Sequence, residues 1–218
     1  MKPDFDALAY LKTPSWYNYG IRVSGQSGLY WDGGQPKDGN FAAYTYMTTF
    51  RDVDGQDLAA ALAAWQRSGH AFLSTVEAPR YPFPIRAELL PQGRSLYAEH
   101  CARCHGSYTS DASGEHLSYP GLVIPVAEIG TDPKRAAFPA LFVQRTREVL
   151  KEEYTVTNGY AAPPLAGVWA RAPYLHNASV PTMAELLDPP SRRRRYLLTA
   201  DPDRVEDYDT ERMGWRVE

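Results

Sequence analysis

The residues best equipped for chemistry are Cys101-Ala102-Arg103-Cys104-His105. Cysteines at i and i+3 project from one face of a helix, so both sulfurs can form thioethers with the two vinyl groups of one porphyrin. The next residue, His105, then lies beneath the metal as proximal ligand. Cys-x-x-Cys-His is the attachment signature of haem c. Two rival uses of the spacing fail on context. A thioredoxin-like dithiol needs a βαβ setting, which the surrounding pattern lacks. A zinc site needs about four ligands, and no second cysteine pair or finger-like histidine pair follows. These 2 cysteines are the whole supply and sit too close together to staple distant parts of a fold.

The residue on the other face of the metal separates an electron carrier from a ligand-binding enzyme. The chain offers His70, His100, His116, His176, Met47, Met183 and Met213. His100, beside Cys101 on the attachment helix, points away from the metal and reads as a surface residue. His70 follows a glycine expected to end a helix, and again a surface role fits. His116 lies just after the motif, where it could touch a haem propionate. His176 stands far along the chain in a loop of prolines and aromatics, as distal-ligand loops do in single-haem cytochromes. Met183, on the short helix beyond, is the runner-up; Met47 and Met213 fall outside the haem domain and in the charged tail.

Around His176, Arg171 could neutralise a propionate with a bidentate contact, against the plainer role of a solvated loop charge. Trp169 and Tyr174 are expected to pack on the porphyrin and keep it dry. Arg103 is expected to face solvent. The run Arg192 to Arg195 reads as solvated surface, with docking to an acidic redox partner or a membrane surface as the alternative.

The elements that must position these residues are short. The 218 residues include 18 prolines, 16 glycines and 15 tyrosines, which predicts less helix and more ordered loop than average. A buried cofactor would supply apolar surface that short helices cannot. A net charge of −3 is small and gives no argument for nucleic acid, and no apolar run is long enough to span a bilayer. The opening MKPDFDALAYLKTP has acids and a proline where a signal peptide has its apolar run. No hydrolase, phosphate-binding or dinucleotide motif occurs.

Residues 1–78 read as an irregular, aromatic-rich segment ending in a helix at 56–69, and residues 79–218 as the c-type cytochrome domain. Four prolines make 78–91 an extended linker. A helix at 92–103 then carries the motif, with Gly106 as its stop. Loops are expected at 107–133 and 156–181, a helix at 138–152, and a short helix capped by Thr182.

Three stretches, YPFPIRAELLPQGRSLYAEHCARCHG, YPGLVIPVAEIGTDP and GVWARAPYLHNASVPTMAELLDPP, together resemble the dihaem cytochrome c peroxidase superfamily. Within it they are most similar to the rubber-oxygenase-like branch of exported dihaem proteins. Upstream, KTPSWYNY and LYWDG are similar to the segment that joins the two haem domains of that branch. The resemblance covers about residues 11–190. It implies a mainly α fold: a cytochrome-c-like haem domain of few short helices and long ordered loops, plus the irregular N-terminal segment. It also implies His105 as proximal and His176, in PYLHN, as distal ligand. Met183 stays as the alternative, because the peroxidases often use methionine in the corresponding domain; an open iron is the third.

Family members carry a second Cys-x-x-Cys-His in an N-terminal domain where peroxide or oxygen reacts, and residues 1–100 hold no such motif. The chain is therefore expected to be a fragment starting after the first haem domain, a single-haem member, or a subunit keeping the electron-transfer half. The expected function is electron transfer through one covalent haem c with two histidine ligands. The alternative is a haem peroxidase or oxygenase, or a fragment or subunit of one. Its partner would be a redox protein or a second haem domain or subunit. Its compartment would be the bacterial periplasm or the exterior, with the export leader outside this chain.

Overall fold

The computed structural model describes residues 12, 15–24, 68–112, 114–137, 157–197, 201 and 204–218. The chain divides into two compact units. One, here the motif unit, comprises 16–77 and 86–164; the other, the PYLHN unit, comprises 1–15, 78–85 and 165–218. The helices expected at 56–69, apart from its last two residues, and at 138–152 lie outside the described residues, as does Met47.

In the motif unit, α1 (Tyr19–Ser24) packs against α2 (His70–Ser74). Gly69, expected to end a helix, is itself helical at φ −69° and ψ −48° and leads into α2. A glycine weakens a helix by about 1 kcal/mol, which packing on a neighbour outweighs. The linker gives way to a 3-10 turn, Ala87–Leu89, and to α3, Leu90–His100. This helix starts earlier than the proline count suggested, because Pro91 falls in its first turn, where a missing N–H costs nothing. The Cys101 N–H still donates to the Tyr97 carbonyl at 2.9 Å. The Cys101 carbonyl then accepts from Cys104 and His105 at 3.2 and 3.0 Å, which starts α4, Ala102–His105. Gly106 stops the helix at φ +91°, as expected.

The stretch expected as a loop at 107–133 is largely ordered as regular structure. β1 (Ser107–Asp111) pairs antiparallel with β2 (Gly114–Ser118), Ser107 opposite Ser118. β3 (Val123–Pro125) pairs with β4 (Gly159–Ala161), which lies in the second expected loop. Short helices α5 (Val126–Ile129) and α6 (Lys134–Ala137) follow β3. The hairpin escaped sequence reading because β1 is exposed along its whole length, so no alternation of apolar and polar residues marks it. Its serines and glycine are ordinary turn residues.

In the PYLHN unit, the Thr182 hydroxyl accepts from the Glu185 N–H at 3.2 Å and caps α7, Met183–Leu187, as its sequence position implied. The C-terminal stretch is more than a charged tail. β5 (Tyr208–Asp209) and β6 (Gly214–Trp215) form a short hairpin. Gly214 sits so close to Pro181 that a Cβ would lie 2.3 Å from its carbonyl oxygen. Tyr208 stacks on Phe83 and meets Trp169 and Trp215 edge-on, with centroids 5.3 to 6.0 Å apart.

Gly106→Ala should destabilise the motif unit by about 2 kcal/mol or more, because the left-handed backbone is strained for a side chain. In addition, the new Cβ would meet the Ser118 carbonyl oxygen at 2.6 Å. Urea titration followed by circular dichroism checks this.

Candidate functional site

The motif unit holds Cys101 at the junction of α3 and α4, and Cys104 and His105 in the single turn of α4. Both cysteines are free thiols and half-buried. Two contacts clamp this turn from outside it. The Tyr97 hydroxyl, one helical turn before Cys101, reaches over to donate to the Gly106 carbonyl at 2.7 Å. The Tyr97 phenol is pushed up to about 12, first by burial and then by the neighbouring Tyr108 and Cys101. It therefore stays protonated as a donor at every physiological pH.

The second clamp is at His105, whose Nδ1 lies 2.8 Å from the Pro163 carbonyl oxygen. A carbonyl can only accept, so Nδ1 carries a proton, and in the neutral ring Nε2 is then the nitrogen with the lone pair a metal needs. The β3–β4 pairing delivers that carbonyl. Beyond β4 the ladder is prolonged by Ala162 N–H donating to Leu122 at 3.0 Å, and the Tyr119 hydroxyl donates to Ala162 at 2.8 Å. Pro163 comes next, followed by the fully buried Pro164. At Gly159 a Cβ would be 2.6 Å from the Ile124 carbonyl oxygen, so only glycine lets the strands approach this closely.

Two thiols on one turn plus an imidazole with a fixed tautomer suit a covalently attached, histidine-ligated porphyrin. Among the described residues, no group of three or more His, Cys, Asp or Glu side chains gathers as a metal site of another kind. Arg103 is exposed, as expected, and pairs with Glu128, an exposed ion pair that adds little stability. His100 is exposed too, near Glu99. His116 lies on β2, where its Nε2 meets Asp111 at 3.0 Å across the hairpin.

His176, Arg171 and Trp169 belong to the PYLHN unit. His176 is 3% exposed. It sits in a loop closed by Tyr174 and Val180, whose backbones exchange hydrogen bonds of 2.6 and 3.4 Å. Leu175 and Ala178 take left-handed conformations at φ 67° and 55°. Tyr174 is anchored by its hydroxyl on the Met213 carbonyl at 3.0 Å, and Trp215 reaches the Ala172 carbonyl at 3.2 Å. Met183 also bonds Met213, N–H to carbonyl, at 2.9 Å. Thus Met213, set aside from the sequence as part of the charged tail, serves this loop through its backbone. Trp169 donates from its indole to the Pro79 carbonyl at 2.9 Å and lies among Tyr81, Phe83 and Tyr208.

Sequence reasoning missed Lys12. Its backbone N–H donates to the His176 carbonyl at 2.7 Å, and its ammonium to the carbonyls of Pro173, at 2.6 Å, and Arg171. Burial, aided by the Arg171 charge, pulls its pKa down to about 8. No local signal marks a lysine that meets its partners 159 and 161 residues away. The tail offered a signal in its aromatics, Tyr208 and Trp215.

No helix among the described residues is long and apolar enough to cross a membrane. Residues 159–197 match a family described as RoxA-like, cytochrome c-like. That stretch holds Pro163, Trp169, Arg171, His176 and Met183, and a cytochrome c-like domain implies haem c. Two curated proteins of Sinorhizobium fredii (strain NBRC 101917 / NGR234) are similar to the chain. Uncharacterized protein y4iM is 31% identical over 176 residues, which cover 66% of this chain and 37% of the relative. Uncharacterized protein y4iJ is 27% identical over 233 residues, covering 80% of this chain and 38% of the relative. The chain thus spans under two fifths of the length of either.

The Tyr97 clamp predicts a particular alkaline response. The folded phenol resists ionisation until about 12, whereas the unfolded one ionises near 10.0. Its contribution to stability is therefore complete below pH 10.0 and is lost as pH climbs toward 12. Tyr97→Phe should cost about 1 kcal/mol at neutral pH and lessen the fall in stability over that window, read by denaturant titrations at several pH values.

Proposed function

We propose that the chain is a c-type cytochrome module carrying one haem c, bound through Cys101 and Cys104 with His105 as an axial ligand, and that it acts in electron transfer. The observation that carries this reading is the hydrogen bond from His105 to Pro163, 2.8 Å long, which fixes the orientation of the imidazole beside the two cysteines. A bound haem supplies a one-electron iron couple and a conjugated edge through which electrons leave. The chain's own contribution is to hold the imidazole in one tautomer and to keep the two sulfurs on one turn.

The opposite axial position is assigned from the sequence alone, to His176, with Met183 as the alternative. Trp169 and Arg171 are assigned to shield the haem and to neutralise a propionate on the same ground. Residues 79–218 would form the mainly α cytochrome domain, with residues 1–78 as its aromatic-rich companion. The electron partner would be a separate redox protein or a second haem domain of a longer chain. Periplasmic or secreted placement follows from where thioether bonds to haem are made.

The RoxA-like match over 159–197 favours one further reading, a haem peroxidase or oxygenase or a part of one. It requires an open iron site.

Protein matured with haem should contain one haem per chain and keep it through denaturing electrophoresis. Replacing both Cys101 and Cys104 by alanine should abolish that retention. A matured chain that stays colourless, with the mass of its amino acids alone, would sink the reading. A ferrous spectrum unmoved by carbon monoxide supports the electron carrier. A rapid shift, with turnover of peroxide and a reduced donor, supports the enzyme instead. Near-infrared magnetic circular dichroism separates two histidine ligands from histidine with methionine.

A further inference from the structure

We infer that Lys12 is a positioning residue for His176: it straps the Arg171–His176 segment so that the imidazole is presented in one orientation. The inference rests on the reading of His176 as an axial ligand.

Beyond the Tyr174–Val180 bridge and the contacts of Tyr174 and Ala172 with Met213 and Trp215, the segment has little regular structure to hold it. The 3-10 helix Val168–Arg171 ends at Arg171, and the next residue is already extended. Left-handed turns at Leu175 and Ala178 follow, conformations that side chains other than glycine adopt only under outside constraint. Lys12 adds to that constraint from a remote part of the sequence. Its ammonium bridges two carbonyls two residues apart, Arg171 and Pro173, and its main-chain N–H holds a third, on His176 itself. A single residue therefore grips the segment at its start, middle and end. Hydrogen bonds from an ionised donor are about twice as strong as neutral ones.

The residue type suits the task. Two carbonyls converging on one point need a compact donor with several hydrogens, which an ammonium is and an amide is not. The apolar stem of lysine tolerates burial that the charge alone would not.

The test uses the full chain matured with haem, and compares Lys12→Met with Lys12→Arg and His176→Ala. Lys12→Met keeps the stem and removes every side-chain donor; Lys12→Arg keeps charge and donors. The readouts are the ferric high-spin fraction and the rate at which ferrous protein takes up carbon monoxide, which a purely structural role would not move. Lys12→Met should take up carbon monoxide about tenfold faster than the native chain, or more, given the strength of charged hydrogen bonds. Lys12→Arg, which keeps the charge but not the compact head, should recover part of the native behaviour, and His176→Ala should set the upper limit.

If Lys12→Met retains native spectra and kinetics while His176→Ala becomes high-spin, the inference is overturned and the ligand assignment stands. If His176→Ala itself leaves the spectra unchanged, the ligand assignment fails and the inference fails with it. Should Lys12→Met not fold, Lys12→Gln takes its place, because its amide donates but falls short of both carbonyls. The same directions of change are then expected.

Discussion

The motif depends on one hydrogen bond between an imidazole and a proline carbonyl. A cysteine pair on a helical turn can be written into almost any sequence. A histidine that will bind iron in one orientation must also have its other nitrogen engaged. Here Pro163 engages it at 2.8 Å, from 58 residues further on. A proline is well suited to that position: it has an acceptor and no N–H, so no donor of its own competes for the contact. Much of what the motif unit builds beyond α3 and α4 serves to bring that carbonyl to the ring, above all the pairing of β3 with β4.

The same economy recurs in the PYLHN unit, where main-chain carbonyls do most of the holding. Tyr174, Trp169, Tyr208 and Trp215 each give a hydroxyl or indole N–H to a backbone carbonyl. Burying an aromatic ring stabilises by area, and its polar tip then needs one acceptor. A proline-rich loop with few regular hydrogen bonds has carbonyls to offer. Among the described residues, the many tyrosines and the scarcity of long helices are therefore two sides of one arrangement, in which side-chain donors replace the ladders that helices and sheets would provide.

Where sequence reasoning met the molecule, its success followed the range of the interaction. The Thr182 cap, the Gly106 stop and the exposed settings of His100 and Arg103 all depend on neighbours within a turn or two, and each stands as read. The loop expected at 107–133 became a hairpin and a further strand, because an exposed ribbon leaves no apolar alternation to read. Gly69, a helix stop by residue type, is itself helical, since packing of α2 on α1 outweighs a local preference.

Residue types and spacing by themselves determined the chemistry on offer: two thiols one turn apart, an imidazole next to them, and a second histidine in a loop of prolines and aromatics. These follow from helical geometry and from what each side chain can bond, which is local information. Only the tertiary structure decided which distant backbone atoms complete the arrangement: Pro163 for the ring of His105, Lys12 for the carbonyl of His176, and Met213 for the hydroxyl of Tyr174. The physical reason is that every residue carries a carbonyl, and every residue but proline an N–H. Nothing in a residue's identity therefore says which of them a remote side chain will meet until strand pairing and burial have brought the two together.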